Sequence, residues 1–189
     1  MGAASQIDEA GAVDDPILAA LYRGDTRGAL GLCARLHGAA LGRLSMAFLG
    51  SQAEAEEAVQ ETLLAAYDGF GGYRAEASLR AWLFGIARRV CARKVETRAR
   101  REQRLRLVHN EADSAVGADV LLAQRRRAER VRLLLEQLKP SERDAVVLRF
   151  DGELSFREVA DACGVDEATA RKRVSRALER LRHALKDEE

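Results

Sequence analysis

The chain has 189 residues, 47% apolar but only 5% aromatic, with 31 Lys+Arg against 30 Asp+Glu. That length holds one large domain or two small ones, and a residue mix rich in Ala, Leu, Arg and Glu favours helix over sheet, because straight-chain side chains lose little rotamer freedom in a helix. No apolar run approaches the roughly 18 residues of a membrane span, the start lacks the basic end and apolar stretch of a secretion signal, and Cys33, Cys91 and Cys163 form neither a disulfide framework nor a CxxC pair. The expectation is a cytoplasmic protein with no membrane insertion.

The net charge of +1 conceals blocks. Residues 1–69 carry 4 Lys+Arg against 10 Asp+Glu, and residues 70–109 carry 11 against 3. An acidic front and a basic middle are read as two surfaces for partners of opposite character, with ordinary solvated helix faces as the bland alternative.

Residues 1–14 are small and acidic and are read as a disordered tail. Pro16 suits the first turn of a helix, with Asp15 as its cap. A second helix is expected at about 26–49, with Leu30, Cys33, Ala34, Leu36, Ala40, Leu41, Leu44 and Phe48 at helical spacing. Ser51 and Glu54 read as a capping box opening a third helix to about 68, with Ala55, Val59, Leu63, Ala66 and Tyr67 inward and Glu54, Glu56, Glu57 and Glu61 outward. The glycine-rich segment 69–78 interrupts helix. Ser78 then caps a long helix whose apolar face is Leu79, Trp82, Leu83, Ile86, Ala87 and Val90. Beyond residue 92 arginine dominates, read as helix first and connector after.

Residues 108–118 are small and polar and are read as a flexible interdomain linker. A helix is expected from about 119 to 138, another at about 142–150 capped by Ser141, a short one after Ser155, and a last one capped by Asp166 and running to about 186. No strand candidate is seen. The fold class is therefore all-α: two small helical domains, 15–107 and 119–189, joined by the linker.

Residues 154–181 meet the requirements of a helix-turn-helix. Ala160 is small where two helices cross, Gly164 sits where the turn needs a left-handed backbone, and Val159 and Val165 pack beneath it. On the last helix Ala170, Val174, Ala177, Leu178, Leu181 and Leu185 form the inward face. Thr169, Lys172 and Arg176 point the other way, with Arg173 on the flank. Arginine reads guanine edges in a bidentate way, and Lys or Thr holds phosphates. Cys33 and His37 are four apart and could share a face, but two ligands make no zinc site. No cofactor, no metal and no nucleophile–base pair is expected, so the chain is not read as an enzyme.

The segment from Leu135 to Leu185 resembles region 4 of the sigma-70 family, down to the SRALERLRHAL that follows the reading helix. The first half independently resembles region 2: residues 53–67 are similar to the helix that grips polymerase, and residues 73–90 to the segment that reads and opens the −10 element. No intervening domain is seen, the mark of the extracytoplasmic-function group. Departures from the family pattern are Glu57, where Asp is usual, Leu63, where an aromatic is common, and Arg89, where Asn commonly follows the Ile-Ala-Arg.

The resemblance implies a sigma factor that binds RNA polymerase core and directs initiation at −10 and −35 elements, commonly under an anti-sigma factor. It implies that Glu57, Gln60 and Glu61 dock on the clamp helices of the largest subunit, with the β flap as the second contact on core. Phe70, Tyr73, Arg74, Arg80, Arg88 and Arg89 would serve −10 DNA, and Thr169, Lys172, Arg173 and Arg176 the −35 element. For Phe70 and Tyr73, base stacking and loop packing both remain open; Trp82 is read as core packing. The competing readings are a helix-turn-helix regulator that acts without polymerase core, and a sigma-like protein that docks on polymerase without opening promoters.

Overall fold

The computed structural model describes residues 15–106 and 130–186, all helix and connecting turns without a strand. The expected tail 1–14, the linker 108–118 and the start of the helix at 119 lie outside the described residues. The first unit comprises α1 (Pro16–Tyr22), α2 (Thr26–Leu49), α3 (Gln52–Gly69), a 3-10 turn (Phe70–Gly72) and α4 (Leu79–Arg106). The second comprises helical residues 130–136, α5 (Pro140–Phe150), α6 (Phe156–Cys163) and α7 (Glu167–Lys186).

Side chains start most of these helices by satisfying amide groups that lack an intrahelical partner. Asp15 accepts from the amides of Ile17 and Leu18, and Pro16 occupies the first turn. Asp25 caps α2, Ser51 caps α3, Ser78 caps α4 and Asp166 caps α7. Ser155 makes a full capping box: its hydroxyl accepts from the Glu158 amide at 3.2 Å, and the Glu158 carboxylate accepts from the Ser155 amide at 2.8 Å. Replacing Ser155 with Ala should cost about 1 kcal/mol in a urea melt, and Ser155→Asp should keep most of that.

Ser141 is not the cap expected of it. The helix begins two residues earlier, with Pro140 in its first turn and Lys139 at the cap position without a side-chain bond. Proline's fixed φ suits the first helical position, so the helix opens at Pro140 and Ser141 falls inside its first turn. The glycine segment also resists less than expected: α3 continues through Gly69 into the 3-10 turn before the chain becomes irregular.

α2, α3 and α4 pack as a bundle around Leu41, Leu44, Phe48, Ala58, Ala66, Leu79, Leu83 and Val90, all buried. The inward line of α3 is Ala55, Ala58, Thr62 and Ala66. These small side chains let the helices approach closely, and they displace Val59 and Leu63 to the flank and Tyr67 to the surface. Leu36, placed inward by spacing, is 55% exposed because it lies off the Cys33–Leu41–Leu44–Phe48 line. In the second unit Val147, Leu148, Leu154, Val159, Ala170, Val174 and Ala177 are buried. Leu178 and Leu185 are exposed instead of inward, and Leu181 is half-buried and lines an open groove with Leu134 and Leu138.

Candidate functional site

The helix-turn-helix is assembled as its residues require. α6 ends on Gly164, whose φ of 66° lies in the left-handed region that a side chain would make costly. Its amide returns to the α6 carbonyls of Ala160 and Asp161. Ala160 is buried at the crossing and Val165 is half-buried beneath the turn. α7 then presents Lys172 and Arg176 to solvent, and neither has an ion-pair partner among the described residues. Arg173 is half-buried. Thr169 is also half-buried, and its hydroxyl donates to Asp166 at 2.7 Å, so it is engaged in the helix cap. That bond holds the Asp166 carboxyl below its ordinary pKa.

The acidic face of α3 meets the basic part of α4. Lys94 Nζ lies 2.9 Å from the Glu57 carboxylate and 3.6 Å from that of Glu61, Arg93 bonds Glu61 at 2.9 Å, and Arg98 lies 3.5 Å from Glu54. The Glu57 bond raises the Lys94 pKa, and Glu61 adds to it. Part of the charge segregation along the chain is thus spent within the molecule. Exposed on the same face of α3 are Glu57, Gln60 and, one turn on, Leu64 at 63% exposure. Sequence reading missed Leu64. Its spacing of four from Gln60 and seven from Glu57, which puts it on their face, was the available signal.

The residues assigned to −10 DNA divide into three groups. Phe70 is 7% exposed and packs on Trp82 with ring centroids 5.9 Å apart. Tyr73 stacks on the same indole at 5.3 Å and donates its hydroxyl to the Ala77 carbonyl at 2.6 Å. Burial pushes its phenol up to about 12. Trp82 is half-buried and organises the glycine segment. Arg74 and Arg89 are exposed.

Arg80 and Arg88 face the second unit. Arg80 donates to the Gly152 carbonyl at 2.9 Å and lies 3.9 Å from the Glu158 carboxylate. Arg88 bonds Asp144 at 3.0 Å and donates to the Ala162 carbonyl at 3.3 Å. Between them Gly85 is buried against α6. A Cβ there would lie 3.3 Å from the Ala162 oxygen, so a side chain would press on the α6 backbone.

Cys33 is buried, its thiol pushed up to about 11 by that burial. The His37 ring meets Phe84 edge-on at 6.3 Å, and its pKa is lowered by burial and then by Arg80. Among the described residues no group of three or more His, Cys, Asp or Glu is placed to hold a metal ion, and no helix is long and apolar enough to cross a membrane.

With this geometry in place, comparison with known proteins gives a consistent result. The family model for sigma-70 region 2 matches residues 33–101, and that for sigma-70, region 4 matches residues 128–181. The chain is 31% identical over 141 residues to the ECF RNA polymerase sigma factor SigC of Mycobacterium tuberculosis, covering 72% of each chain. It is 30% identical over 158 residues to SigG of the same organism, 70% of this chain but 42% of SigG, so it spans less than half that relative's length. Among solved structures, the sigma factor RpoE in complex with the anti-sigma factor NepR from Bartonella quintana is similar. Identity is 27% and the TM-score 0.59, across 81% of this chain and 94% of RpoE.

Proposed function

Because this chain belongs to the sigma-70 family, in its extracytoplasmic-function group, we propose that it binds RNA polymerase core and directs it to promoters carrying paired −35 and −10 elements. The observation that carries the reading is the exposed, unpaired basic face of α7 behind a capped helix-turn-helix. Arg176 reads a base edge in the −35 major groove, and Lys172 and Arg173 hold phosphates beside it. Thr169 sets the start of the helix against the backbone.

The first unit serves the other two contacts. The α3 face of Glu57, Gln60 and Glu61 docks on the clamp helices of the largest polymerase subunit, and Leu64 supplies its apolar anchor. The loop with Tyr73 and Arg74, and the α4 arginines Arg80, Arg88 and Arg89, hold the −10 strand. Capturing extruded bases offsets part of the unstacking cost, a few kcal/mol per base. The groove between Leu134, Leu138 and Leu181 suits the β flap. The protein carries out no covalent chemistry, works in the cytoplasm, and is regulated by an anti-sigma factor, the class of partner that RpoE holds in its solved complex.

The test is reconstitution of purified polymerase core with this protein on a genomic-fragment library, reading RNA starts. Defined starts sharing paired upstream sequences are expected. An absence of starts together with an absence of core binding in gel filtration would overturn the reading and leave a helix-turn-helix regulator. Leu64→Asp is expected to weaken core binding roughly tenfold with the fold intact, since an apolar anchor at an interface centre is worth about 1–2 kcal/mol. Unchanged affinity would remove α3 from the docking surface.

A further inference from the structure

Lys94 joins two carboxylates of the α3 face that is read as docking on polymerase. Its ammonium lies 2.9 Å from Glu57 Oε2 and 3.6 Å from Glu61 Oε2. An ammonium has several donors and no acceptor, so one lysine can hold both groups at once. The exposures are unequal. The Lys94 side chain is 18% exposed, whereas that of Glu57 is 68% exposed. The cation is therefore sheltered beneath the carboxylate it holds. Glu57 is pinned by one oxygen, and the other has no partner among the described residues.

Glu61 fixes Lys94 in turn. Arg93 takes its Oε1 at 2.9 Å, and its Oε2 is buried without a hydrogen bond, with the Lys94 ammonium as the nearby positive charge. Farther along the same edge of α4, Arg98 faces Glu54 at 3.5 Å. Lys94 is the most sheltered of these cations, since the Arg93 and Arg98 side chains are 65% and 27% exposed. Its raised pKa follows first from the bond to Glu57, so the pair stays charged at neutral pH.

We propose that Lys94 is a positioning residue for polymerase docking: it holds the Glu57 carboxylate in the conformation that meets the core enzyme, without touching core itself. This rests on the reading of the α3 face as the docking surface. A pair with one exposed partner adds little to stability, and its consequence is conformational. A long, unheld glutamate must be ordered as the partner arrives. Here that ordering is complete beforehand, which is worth roughly two- to tenfold in affinity.

A double-mutant cycle on core binding tests this, with the labelled full-length protein titrated with purified polymerase core. Lys94→Met is expected to weaken core binding by that same factor, and Lys94→Arg, which keeps the charge, to recover most of it. In a Glu57→Ala background, itself weaker than wild type, Lys94→Met should have no further effect, because the group it positions is gone. Urea melts of each variant separate these losses from unfolding. If the methionine variant does not fold, Lys94→Gln takes its place in the cycle with the same expectations. Lys94→Met binding as tightly as wild type, or losing as much in the Glu57→Ala background as in the native one, would overturn the positioning role. A wild-type chain that does not bind core would instead overturn the docking reading on which the role rests.

Discussion

Truncating Leu83 to alanine is expected to lower the unfolding free energy by about 3 kcal/mol, within the roughly 2–5 kcal/mol typical of a buried leucine. Leu83 is fully buried on α4, in the core that α4 shares with α2 and α3. The loss has two sources: the transfer free energy of the deleted carbons, and the cavity that rigid neighbours leave behind. Leu41, Leu44 and Phe48 come from one long helix and have little freedom to collapse into the space. Urea denaturation at constant m-value measures it. A loss below about 1 kcal/mol would mean that the bundle refills the site. α4 carries Arg80, Arg88 and Arg89, so the same variant should lose −10 binding on warming before it loses −35 binding.

Arg176→Ala is expected to weaken −35-dependent binding by about 1–3 kcal/mol, roughly ten- to a hundredfold, and to relax preference at one base position. Arg176 is exposed on the outward face of α7, with no ion-pair partner to release before it reaches DNA. The salt dependence separates the two roles. A base contact leaves the slope of log K against log salt nearly unchanged, whereas loss of a phosphate contact lowers it by about one unit. Lys172→Ala should do the latter, weakening all sequences alike. Competition binding with single-base variants of the −35 element distinguishes them, and unchanged discrimination in Arg176→Ala would remove that residue from base reading.

Local chemistry made much of this architecture legible. Asp15, Ser51, Ser78, Ser155 and Asp166 each begin a helix because the signal for capping is contained within four residues. Gly164 marks the turn of the helix-turn-helix because the left-handed conformation is a property of a single residue. Amphipathic periodicity found the helices and most of the core. It misjudged Leu36, Tyr67, Leu178 and Leu185 because periodicity names a face without saying how far a neighbouring helix extends along it.

The fates of the charges were decided only in three dimensions. The acidic α3 and basic α4 are separate blocks in the sequence, yet Glu54, Glu57 and Glu61 meet Arg98, Lys94 and Arg93 across the bundle. Arg80 and Arg88 read in isolation as free DNA-binding groups, and Asp144, Glu158 and the Ala162 carbonyl, more than 55 residues away, hold them. By itself the sequence determined the helices, most of their caps and the turn at Gly164, since these depend on interactions spanning a turn or two. Which charged groups remain available to a partner depends on long-range packing that brings opposite charges within bonding distance, and only the tertiary structure decided that.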